Sequence, residues 1–331
     1  MPNRQRILNL LESFRGKSQV QRFLESKKEH YSGTWEIVRG RIEDGLEKGK
    51  ITENELILLL EDIEEHGDQY IYLYGLDLGR APRIRDRENF ETLLTAVERS
   101  RALDRVAIVQ NPTAEPILVS AYFTPERLKL KWVQKRSFRR PLGETINGNI
   151  ATVRYQIIDT RAVDLAILDF VQHTAILCIQ KIEPGVRDYR RQLREMFNRL
   201  NRFVDQEALT PLDLETLMNR MNDKSFTEIR RRRYRALDAE GGVFEVTSSA
   251  ESEDIYGGGL YEVARENYTG VLAGLYANAY WLPVKGRLDR ELHTIFPYKQ
   301  AVNAVVFTQR CTKTERDYVL SRIESIARGQ S

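Results

Sequence analysis

Apolar positions in the first ninety residues recur at helical spacing: Ile7, Leu10, Leu11 and Phe14, then Val20, Phe23 and Leu24, then Trp35, Val38, Ile42 and Leu46. The turn Lys48-Gly49-Lys50 stops the third helix. Thr52, followed by Glu55, forms a capping box for a fourth, which carries Leu56, Leu59, Leu60 and Ile63. The pattern predicts an all-helical module over 1–90, left through the aromatic, extended exit Gln69-Tyr70-Ile71-Tyr72-Leu73-Tyr74.

From about residue 105 the period changes to two or to short apolar runs, at Val106 to Val109, Ile117 to Tyr122, Leu128 to Val133, Thr152 to Ile158 and Thr174 to Ile179. These predict a mostly antiparallel sheet. Val163, Ala166, Ile167 and Phe170 fall on one side of a helix over Arg161 to Val171, between the last two strands. A long helix is expected from Val186 to Val204, and Thr210 with Pro211 in the first turn starts another. The domain reading is thus a mixed α/β domain with a basic strand over 105–204, then a helical connector over 205–247. The polar and glycine-rich stretch 248–260, with Gly257-Gly258-Gly259, reads as a flexible loop. Strands at Val271 to Trp281, Gly286 to Phe296 and Ala301 to Phe307, and a closing helix from Thr314-Glu315, make up 261–331. The expected fold class is α+β.

A chain of 331 residues with 41% hydrophobic and 30% charged content suits two or three globular domains. Its two cysteines, Cys178 and Cys311, support neither a disulfide framework nor the usual zinc site. No apolar run approaches the roughly 20 residues that span a bilayer, and Met1-Pro2-Asn3-Arg4-Gln5-Arg6 leads into an amphipathic segment rather than a signal-peptide core. The expectation is an intracellular protein with no membrane partner, nuclear in a eukaryote or in the cytoplasm and nucleoid of a prokaryote.

Charge changes the picture because it is local. Lysine and arginine number 51 against 48 acids, yet Arg127, Lys129, Lys131, Lys135, Arg136, Arg139 and Arg140 occur with no acid among them. A second run reads Arg230-Arg231-Arg232-Arg233-Tyr234-Arg235. Clustered cations repel one another unless water or a polyanion neutralises them. On a strand, Leu128, Leu130, Trp132 and Val133 alternate with Lys129 and Lys131, so the lysines share a face expected to be open to a phosphate backbone. The second run follows Phe226 and Ile229 at the expected end of a helix, where the dipole favours cations. A nuclear-import signal has the same composition.

Catalytic patterns are sparse. His30, His66, His173 and His293 lie in different segments with no ligand spacing and read as surface or capping residues. There is no Gly-x-Ser-x-Gly elbow and no phosphate-binding loop, and neither a metal nor a cofactor is expected. The acids Glu61, Asp62, Glu64 and Glu65 read as a protein-binding edge on the fourth helix, and a dispersed nuclease set such as Asp159 with Asp164 or Glu183 stays open.

The layout resembles the centromere protein N family of inner-kinetochore proteins. The similarity rests on Glu43 to Leu76, on Leu130-Lys131-Trp132-Val133 with its basic continuation, on Ile158-Asp159-Thr160-Arg161 running to Asp169-Phe170, and on Gly286 to Phe307 with the helix to Ile323. It implies a pyrin-type death-fold module at the N-terminus and DNA lying along a basic groove between that module and the next domain. In that resemblance Arg161 matches an arginine at a strand-to-helix step, and Arg4, Arg6 and Arg15 match DNA-facing cations of the first helix.

The leading expectation is a non-enzymatic protein that holds nucleic acid, double-stranded DNA first and RNA second, by its backbone within a larger complex. Arg4, Arg6, Arg15, Lys129, Lys131, Lys135, Arg136, Arg139, Arg140 and Arg161 would line the groove, with Arg230, Arg231, Arg232, Arg233 and Arg235 as a further basic patch. The alternatives are a protein-interaction scaffold working through Glu61 to Glu65 and a metal-dependent nuclease or defence-system component with dispersed carboxylates.

Overall fold

The computed structural model describes residues 2–13, 17–97, 102–104, 107–147, 149–181, 189–248, 253–257, 259–266, 268 and 272–329. Arg15 and Glu183 lie outside them. The chain is a mixed α+β protein whose strands are mostly antiparallel.

Helices α1 (Pro2–Ser13), α2 (Lys17–Ser26), α3 (Trp35–Glu47) and α4 (Glu53–Glu65) come first, followed by β1 (Gly67–Leu76) and α5 (Arg87–Ala96). Next come β2 (Ile117–Phe123), β3 (Arg127–Asn147), β4 (Ile150–Asp169), β5 (Thr174–Gln180), α6 (Tyr189–Leu200) and the short β6 (Leu209–Pro211). The rest is α7 (Glu215–Met221), β7 (Ile229–Leu237), β8 (Val243–Thr247), α8 (Leu260–Arg265), β9 (Ala273–Trp281), β10 (Leu292–Phe296), β11 (Ala304–Arg310) and α9 (Lys313–Ala327). Two compact units result, Met1–Glu64 with Leu76–Thr210, and Glu65–Gly75 with Pro211–Ser331.

In the first unit the helical periodicity is realised: Ile7, Leu10, Leu11, Val20, Leu24, Val38, Ile42, Leu56, Leu60 and Ile63 are buried. The expected capping box closes α4, the Glu55 amide donating to Thr52 Oγ1 at 3.2 Å and the Thr52 amide to Glu55 Oε2 at 2.9 Å. Strands pair in the order β2-β3-β4-β5, all antiparallel.

The segment Arg161 to Val171 is not a helix. It is the inner half of β4, where residues 162–168 are all buried. A strand covered on both faces reads as a continuous apolar run, and any such run also contains positions at helical spacing. Ala107 to Val109, expected as a strand, is irregular, though the Ala107 amide donates to Val119 O at 2.9 Å.

β3 and β4 are far longer than their neighbours. Their ladder runs from Arg127 opposite Asp169 to Asn147 opposite Ile150, whereas β2 follows β3 only to Val133 and β5 meets β4 only from Asp164 onward. Past those points the described strands pair only with each other. Residues 139–146 and 150–157 are exposed on both faces, so the hairpin continues as a two-stranded ribbon in solvent.

In the second unit the order is β1-β11-β10-β9-β7-β8, again antiparallel. Ala277, Ala279, Trp281, Leu292, Phe296 and Phe307 bury one face, and α7 packs on β9 and on α9. Thr312 and Glu315 cap α9 reciprocally. Gly67, at φ +78°, sits at a bulge where a Cβ would lie 2.4 Å from Gln309 O, so no side chain fits. The stretch 205–247 is not a helical connector, since β7 and β8 occupy its second half. Nor does the run 230–235 end a helix; it lies within β7.

Candidate nucleic-acid interface

The inner half of β3 shows why most of the expected groove does not form. Its odd-numbered face carries Lys129 and Lys131, and α4 covers that face instead of water. Lys131 is 0% exposed and its Nζ lies 2.5 Å from Glu64 Oε2; Arg161, on the same face of β4, places Nη1 2.5 Å from Glu64 Oε1. Glu61, one helical turn before Glu64, is 3.8 Å from Lys129. Arg161 also donates to Val109 O at 2.7 Å. The acidic run and the basic strand are therefore each other's partners. A buried ion needs a close counter-charge and hydrogen bonds, because leaving water costs several kcal/mol.

The even-numbered face repeats the solution with other residues. Asp164 Oδ2 accepts from Arg136 at 2.5 Å, Arg199 of α6 at 2.9 Å and Gln134 at 3.1 Å. Arg136 is only 6% exposed, and the Arg199 guanidinium lies 5.5 Å over the Trp132 ring. Lys131, Arg136 and Arg161 are thus corrected from groove-lining cations to interior ion pairs.

Beyond this root the arrangement reverses. Lys135 pairs with Asp159 at 3.2 Å in solvent, and Ser137 donates to the same carboxyl; that hydrogen bond foremost, with Lys135, holds Asp159 below the usual carboxylate range. Farther out, Arg139 and Arg140 on β3 and Arg154 on β4 are exposed, and among the described residues none has a carboxylate within 4 Å. Arg140 lies opposite Gln156 and Gly143 opposite Arg154, which places Arg140 and Arg154 on one face of the ribbon. Arg139, opposite Ile157, is on the other, beside the exposed Val153, Tyr155 and Ile157. Arg154 was missed in the sequence. The signal was the dipeptide Gly148-Asn149, a pair that favours a two-residue hairpin loop, ahead of the alternating Val153, Tyr155 and Ile157.

Arg4 and Arg6 are exposed on α1, Arg4 lying 3.6 Å from Glu53. Among the described residues, nothing brings them into one trough with the β3 cations.

The second arginine run divides by strand face. Arg231 points inward, 5% exposed, donating to Met221 O at 2.6 Å, Asp223 O at 2.7 Å and Phe226 O at 2.5 Å, with Asp254 at 3.2 Å. It is a structural clamp, not a patch residue. Arg232 falls in the bulge between Arg231 and Arg233. Arg230, Arg233 and Arg235 face outward beside Tyr280, Asn278 and Tyr276. Glu291 accepts from Arg230 at 2.6 Å, which pulls the carboxyl down and the guanidinium up in pKa, and that guanidinium lies 4.3 Å over the Tyr280 ring. Arg233 and Arg235 share Glu245, at 2.5 and 3.7 Å.

The acidic edge is also corrected. Glu64 and Glu65 are buried and Glu61 and Asp62 half-buried, so the run faces inward rather than toward a partner. Of the histidines only His30 and His173 are exposed; His66 is buried, and His293 stacks on Tyr280 and bonds Thr308 at 2.6 Å and Asn278. Asp159 and Asp164 project from opposite faces of β4, and among the described residues no three His, Cys, Asp or Glu are grouped to hold a metal ion. Among them, too, no helix is long and apolar enough to cross a membrane. Comparison of the chain with protein-family models and with curated proteins gives no match.

Proposed function

We propose that the protein binds nucleic acid without reading sequence, through the ribbon formed by the outer halves of β3 and β4. The observation that carries this reading is the trio Arg139, Arg140 and Arg154, exposed and with no carboxylate within 4 Å among the described residues, while the cations at the hairpin's root are neutralised. A two-stranded ribbon fits a duplex groove. Arginines on its two faces then reach the phosphates flanking that groove, while Tyr155, Ile157 and Val153 lie against sugars and base edges. The resemblance to the centromere protein N family, with its death-fold-like reading of α1 to α4, points to the same class of partner; the proposed contact is the ribbon rather than a groove. An intracellular location and a wider complex belong to the same proposal.

Fluorescence anisotropy with a random-sequence duplex tests it. Arg139→Ala, Arg140→Ala and Arg154→Ala together should weaken binding at least tenfold for every sequence tried. Binding unchanged in the triple variant overturns the reading.

A second reading is favoured by the exposed apolar residues Ile146, Val153, Tyr155 and Ile157, which suit a protein partner on the ribbon. Gel filtration with and without DNA separates the two, because only nucleic acid shifts the elution under the first.

A further inference from the structure

The second unit holds a pocket of about 190 Å³ lined by Arg233, Arg235, Leu275, Tyr276, Pro297, Lys299 and Gln300. It lies on the outer face of β7 and β9, under the turn that follows β10. That turn is tied down, the Lys299 amide donating to Leu275 O at 3.0 Å and the Gln300 amide to Pro297 O at 2.7 Å.

Charge is out of balance here. Arg233 and Arg235 share the one carboxylate of Glu245, and among the described residues Lys299, which is exposed, has no acid within 4 Å. Three cations against one carboxylate leave two positive charges unanswered. Arg235 Nε is buried and faces Glu245 Oε2 at 3.7 Å, too far for a hydrogen bond, so this N–H is left undersatisfied. Leu275, Pro297 and the Tyr276 ring, which has the Arg233 guanidinium 5.5 Å over it, supply an apolar wall.

We propose that this pocket binds a phosphomonoester attached to a flat or apolar group. A phosphomonoester carries roughly −1.5 to −2 charge at pH 7 and three acceptor oxygens, which matches the excess charge and the unanswered donors; a carboxylate matches only half of it. The volume is below the roughly 300–1,000 Å³ of pockets that enclose whole drug-sized ligands, so the site takes one end of its ligand. That end is the 5′-phosphate of a mononucleotide or of a nucleic-acid strand. The proposal uses no residue of the ribbon and stands or falls independently of it.

Isothermal titration of the full chain with adenosine 5′-monophosphate and with adenosine tests the site. The nucleotide should bind and adenosine should not, and Lys299→Glu, an exposed change that leaves the sheet intact, should weaken the nucleotide at least tenfold. Arg235→Lys should do the same to a lesser degree, while the ribbon triple variant should bind the nucleotide as the native chain does. No binding of the nucleotide, equal binding of adenosine, or indifference to Lys299→Glu overturns the proposal. A 5′-phosphorylated oligonucleotide binding tenfold tighter than its 5′-hydroxyl counterpart identifies a strand end as the source; equal binding of the two identifies the free nucleotide.

Discussion

At the root of the β3–β4 hairpin Lys131 and Arg161 close on Glu64, and Arg136 and Arg199 close on Asp164; in the outer half Arg139, Arg140 and Arg154 are exposed, with no carboxylate within 4 Å among the described residues. Both sets include arginines of the same two strands. What differs is cover: α4 lies over one face of the root and α6 over the other, and neither reaches the ribbon. Under a helix a cation must be neutralised from within the protein, since desolvation of a lone charge costs several kcal/mol. In solvent it needs no partner and stays available for one from outside. The arginines that serve the fold and those that serve binding are separated by this criterion and by nothing in their sequence neighbourhood.

The strongest way to break the contrast is to unpair the root. Glu64→Ala removes the buried carboxylate on which Lys131 and Arg161 both close and should cost about 3–5 kcal/mol in urea denaturation. A loss under about 1 kcal/mol would mean that the root cations are not held by Glu64. Next in size, the ribbon triple variant should lose at least tenfold in duplex affinity, about 1.4 kcal/mol or more, while its stability shifts by no more than about 0.5 kcal/mol, because nothing in the fold leans on those side chains. Should the triple variant unfold instead, the ribbon arginines belong with the root. The smallest effect is expected where the two regimes meet: Lys135→Ala removes an exposed ion pair with Asp159 and should leave the denaturation midpoint where it was.

Much of the fold was legible. Helices α1 to α4 and the capping box at Thr52 and Glu55 follow from spacing, because an amphipathic element shows its period whenever one face stays in water; β2 and β5, buried along most of their length, show instead as short apolar runs, and α5 has no counterpart in the sequence reading. Where both faces are covered the period disappears, and the inner half of β4 therefore reads as a helix. The strand β7 was hidden for another reason. Its arginines occupy inward, bulged and outward positions, so charge does not mark the exposed face.

The candidate site was legible only in its parts. Both the acids Glu61 and Glu64 and the cations Lys129 and Lys131 stand out in the sequence, but the contact between them is long-range, and spacing within a segment carries no information about it. Arg139 and Arg140 were expected to contact phosphate and are exposed; Arg154, Tyr276 and Lys299 carry no local signature, since each acquires its setting from a strand or turn elsewhere in the chain.

The dependence of duplex affinity on salt tests the division most directly. Each phosphate neutralised contributes roughly 0.9 to the slope of log K against log salt, so the ribbon triple variant should flatten the native slope by about 2 to 3, while Lys135→Ala should flatten it by no more than about 1. A native slope near zero, or one that the triple variant leaves unchanged, would contradict the assignment of the ribbon as the nucleic-acid contact.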